Sequence, residues 1–134
     1  MRNALLPQRV RTINGSFAFI EHRFLRHGFW AGLGHHELLL YFFLVMVADR
    51  QGLSFYSYDK ICSLLTLSLD EYILARDSLI GKDLLAFDGT FFQVLSLPAE
   101  AVRHTELLRE QEDMRRKDPA TIDRLIRQSM ELGR

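Results

Sequence analysis

Cysteine is nearly missing from this chain: Cys62 is the single one among 134 residues. One thiol cannot close an intramolecular disulfide, so the fold must be held by packing, as in proteins of reducing compartments. An excess of charge is missing too, since 17 Lys and Arg stand against 17 Asp and Glu. That balance excludes holding a polyanion by bulk charge, which needs a large positive surplus. The longest apolar run, Leu38-Leu39-Leu40-Tyr41-Phe42-Phe43-Leu44-Val45-Met46-Val47-Ala48, falls well short of the roughly 20 residues of a bilayer span. The opening residues, with Arg2, Pro7, Arg9 and Arg11 before Asn14-Gly15, lack the apolar centre of a signal peptide. A cytoplasmic protein without membrane contact is the expectation.

Motifs of chemistry are scarce as well. His22, His27, His35, His36 and Cys62 show no Cys-x-x-Cys or His-Glu-x-x-His spacing. Adjacent His35 and His36 at a helix start point about 100° apart, which suits one ion poorly. Asp70, Glu71 and Asp77 are accompanied by no Gly-rich phosphate loop and no Ser/His pairing, so they read as a solvated helix face. Cys62 reads as a small core residue. No metal, no cofactor and no enzymatic activity are expected.

What is present is an ordinary globular composition, 48% hydrophobic and 25% charged. It suits one domain with an appended arm. Residues 1–15 read as that arm, and Phe17-Ala18-Phe19-Ile20 as a short strand. Phe24, Leu25, Phe29, Trp30 and Leu33 fall near helical spacing, but Gly28, Gly32 and Gly34 break them into turns. With Trp30, Phe24 and Phe29 are expected to cover the helix that follows. That helix, over 35–48, is apolar on every side and needs cover all round.

Asp49-Arg50-Gln51-Gly52 is a turn before the strand-like Leu53-Ser54-Phe55. Ser57 can cap a helix over 58–65 whose stripe is Ile61, Leu64 and Leu65. Ser68 followed by Glu71 forms a capping box, so a second helix should run from Leu69 to about Lys82 on the stripe Tyr72, Ala75 and Leu79. Asp88-Gly89 lies between two β-rich runs and predicts a hairpin with a type I′ turn. Pro98 closes the second strand. A charged helix over 99–117 is expected next, then a last helix opened by Asp118 and Pro119, with Ile122, Leu125, Ile126 and Met130 on one face.

Strand, helix, tight turn, helix and hairpin, carried by Asp59-Lys60-Ile61-Cys62-Ser63-Leu64-Leu65-Thr66-Leu67-Ser68, Ala75, Leu79 and Lys82-Asp83-Leu84-Leu85, resemble the winged helix-turn-helix DNA-binding domains of bacterial transcription and plasmid or phage replication proteins. The resemblance covers about residues 35–97. It implies a mainly α protein with a small β-hairpin (α+β), divided into an arm and aromatic segment (1–34), the winged domain (35–98) and a C-terminal helical extension (99–134). It also implies that the second helix of the pair reads the major groove of double-stranded DNA while the hairpin touches the backbone or minor groove. Thr66 and Asp83 stand where that family often has Gly.

On those surfaces the charges are uneven. Residues 1–50 carry six basic and three acidic groups, residues 51–98 three and six, and residues 99–134 eight of each. The hairpin over 84–97 has no basic residue, whereas base edges are read by Arg, Lys, Asn and Gln. Two readings follow. In one, the chain binds DNA in transcription regulation, replication or mobile-element function, through Arg9, Arg11, Lys60, Ser68, Asp70, Ile73, Arg76 and Lys82, with Arg2, Arg23 and Arg26 also contacting phosphates. In the other, the domain binds protein through outward Ile73, Leu74 and the apolar hairpin. A homodimer using Ile73, Leu74, Ile122, Leu125, Ile126 and Met130 is compatible with both.

Overall fold

The computed structural model describes residues 3–102 and 119–132, excepting the side chains of 131 and 132. Local chemistry sets its elements. Helix α1 (Arg23–Arg26) is a single turn. It is followed by the tight turns that the glycines dictate, Gly28 having φ +86°. Helix α2 (His35–Val47) is the central element. Its Leu40 and Leu44 are fully buried, each stabilising the fold by roughly 1.5–3 kcal/mol. Phe24 stacks on Tyr41 with ring centroids 4.9 Å apart, and Phe29 lies parallel to Phe24 at 6.1 Å. The aromatic segment therefore covers α2 as expected. Cover is not complete, because Leu39 and Met46 are exposed.

Strand β1 (Leu53–Ser54) follows a turn in which the Asp49 carboxylate accepts the N–H groups of Gln51 and Leu53. Helix α3 (Tyr58–Leu65) has the expected bounds, but the Ser57 side chain makes no capping bond to it, and of its expected stripe Ile61 is buried whereas Leu64 is exposed; it ends at Thr66 in a left-handed conformation. Ser68 then opens α4 (Leu69–Gly81), its hydroxyl accepting from the Glu71 N–H while Glu71 accepts from the Ser68 N–H. The capping box is thus present.

Strands β2 (Leu85–Phe87) and β3 (Phe92–Val94) form the expected hairpin, and β3 also pairs with β1. The result is a three-stranded antiparallel sheet in the order β1-β3-β2. The hairpin turn differs from expectation. Only Gly89 has positive φ, so the turn is not type I′. Instead the Asp88 carboxylate accepts from the N–H groups of Thr90 and Phe91, at 2.8 and 2.7 Å, and wraps a longer loop.

The last helix, α5 (Pro119–Leu132), starts at the expected proline. Its expected cap Asp118 and most of the 99–117 helix lie outside the described residues, while 99–102 are not helical. Residues 17–20 form no strand, for every residue from 3 to 22 is exposed and none pairs with the sheet. A core of Phe24, Leu40, Leu44, Ile61, Tyr72, Leu79, Leu85 and Phe92 ties α1 to α4 and the sheet into one α+β unit.

Candidate interaction surface

Helix α4 is where the two sequence readings meet, and its side chains sort themselves by periodicity. Tyr72, Ala75 and Leu79 face the core as expected. So do Ile73 and Arg76, both 0% exposed, which corrects their assignment to an outward face. Tyr72, Arg76 and Leu79 share the spacing i, i+4, i+7, and Ile73 stands seven residues before buried Ile80. Two turns of helix therefore place both on buried stripes.

Arg76 is fixed by a dense set of partners. Its Nε donates to Asp77 Oδ1 at 3.1 Å, its Nη2 donates to Thr121 Oγ1 at 3.1 Å, and its guanidinium lies over the rings of Tyr72 and Phe87 at 5.6 and 5.4 Å. A buried guanidinium held this way cannot reach a base edge. Lys82, just past the helix end, is also engaged: Nζ donates to the Gly32 carbonyl at 2.6 Å and to Glu37 Oε2 at 2.9 Å. This ammonium stands in a cleft of about 430 Å³ lined by Phe29, Leu84 and Val102 among others. What α4 turns outward is Asp70 and Leu74, with Leu69, Glu71, Asp77 and Ser78 half-exposed.

The other expected contacts are scattered. Ser68 is occupied by the capping box. The same bonds hold the Glu71 carboxyl below its ordinary range, first through the Ser68 N–H and then its hydroxyl, with His36 at 3.1 Å adding to the effect. Lys60 is exposed on α3, above the Tyr56 ring at 5.6 Å. Beside it, Asp59 is exposed with its carboxyl lowered chiefly by the Ser57 hydroxyl. Arg9 and Arg11 sit in the exposed arm, and Arg26 is exposed in α1. Arg23 is spent on structure, donating to the carbonyls of Leu97 and Pro98 at 2.7 and 2.9 Å. Arg2 lies outside the described residues. Cys62 is half-buried, its thiol pushed up by burial and by Asp59.

Helix α5 folds back on the domain, but not by the apolar stripe that its sequence offers. It docks on α3 and α4 through its first turns: Ala120 and Thr121 are buried, Thr121 accepts from Arg76, and the Tyr58 hydroxyl donates to Asp123 Oδ2 at 3.3 Å. Arg127 pairs with Asp123 at 3.0 Å and feels Asp70. The apolar stripe points elsewhere, with Ile122, Leu125, Ile126 and Met130 exposed by 43, 51, 54 and 66%. An amphipathic helix ordinarily buries that stripe. The available signal was Arg76 itself, a cation on a core stripe that requires a polar partner.

Among the described residues no group of three or more His, Cys, Asp and Glu gathers as a metal site, and no helix is long and apolar enough to cross a membrane. Against known proteins, no family model matches the chain, and no characterised protein or solved structure is significantly similar to it.

Proposed function

We propose that residues 35–97 form a winged helix-turn-helix and that the chain works as a protein-interaction and dimerisation module. Support for the fold comes from the order α2, β1, α3, α4, β2, β3, with a tight α3–α4 turn and a hairpin that pairs back onto β1. The observation that carries the function is the chemistry of α4. Its outward strip is acidic and apolar, while Arg76 is consumed by buried partners and Lys82 by Gly32 and Glu37 of the same chain. Such a strip repels phosphates and offers apolar surface to protein. The outward stripe of α5 adds a second exposed apolar surface.

DNA binding in transcription regulation, replication or mobile-element function is the second reading. It is favoured by the exposure of Arg9, Arg11 and Lys60. Light scattering on the eluting full chain, beside a gel shift against random duplex DNA at two salt concentrations, separates the two. The interaction reading expects self-association or a stable heterocomplex, weakened by Ile126→Glu, and no shifted DNA. A monomer that shifts DNA steeply with salt, and loses this with Arg9→Ala and Arg11→Ala, would replace it by the second reading.

A further inference from the structure

We draw no further inference here: the strongest candidate, the apolar stripe of Ile122, Leu125, Ile126 and Met130 left exposed along α5, carries nothing, because the cations Lys60 and Arg124 offset the carboxylates Asp59 and Asp70 beside it and nothing in the structure shows what covers it.

Discussion

Thr66 carries a conformational cost that its neighbours impose. It has φ 55° and ψ 50°, and its N–H and that of Leu67 both donate to the Cys62 carbonyl, closing α3 before α4 begins. A β-branched residue is strained there by about 1–2 kcal/mol, whereas glycine adopts the conformation freely. Thr66→Gly should therefore raise stability, by about 1 kcal/mol after the unfolded chain's added freedom is subtracted. Urea denaturation of the two proteins measures this, and a lowered midpoint would contradict it. Asp83 adopts the same region, with φ 62°. These are the two positions where the resembled family often has Gly, and both take the left-handed conformation that glycine adopts freely.

Among the elements, α5 depends on a single buried guanidinium for much of its seat. Arg76→Ala removes the donor to Thr121, leaves Asp77 without that cation and opens space against Tyr72 and Phe87. The loss should be on the order of 3 kcal/mol, with Arg76→Met costing less because its stem still fills the space. Hydrogen exchange should show protection lost first in α5. Equal loss in α2 would point to general unfolding instead.

The elements themselves were largely legible in the residues. The bounds of α3, the capping box of α4, the hairpin and Pro119 at the start of α5 all follow from local chemistry. The site was less legible, for tertiary reasons. Which side of α4 is covered depends on where α5 comes to rest, and no local rule states that. The resemblance sets Arg76 among the base-reading residues, whereas its spacing from Tyr72 and Leu79 puts it on the buried stripe. The turn at Asp88 departs from type I′ because its carboxylate organises a loop that two positive-φ residues would otherwise make.

For the whole molecule, acid is the condition to which the fold should be most sensitive. The Glu71, Asp88 and Asp59 carboxyls are all held below their ordinary values, by the Ser68 backbone, by the Phe91 and Thr90 N–H groups and by the Ser57 hydroxyl respectively. A carboxyl lowered in the folded state stabilises the fold above its unfolded value and ceases to do so as pH falls through its folded value. The urea midpoint should therefore vary little on this account above about pH 5 and fall progressively below about pH 4. A midpoint that instead rises on acidification would show that carboxylate repulsion outweighs these bonds.

Arg23 does more than close a gap in the surface. By gripping the carbonyls of Leu97 and Pro98 it joins the start of the packed domain to the segment just after its last strand. The two ends of the stretch from α1 to β3 are thereby one place, and α5 docks onto it from further along the chain. Trypsin should then cut at Arg9 and Arg11 and spare Arg23, whose side chain is engaged, so that a brief digestion leaves the domain with its arm shaved off. The clasp is a physical border between the part of the chain that folds on itself and the part left over for something else.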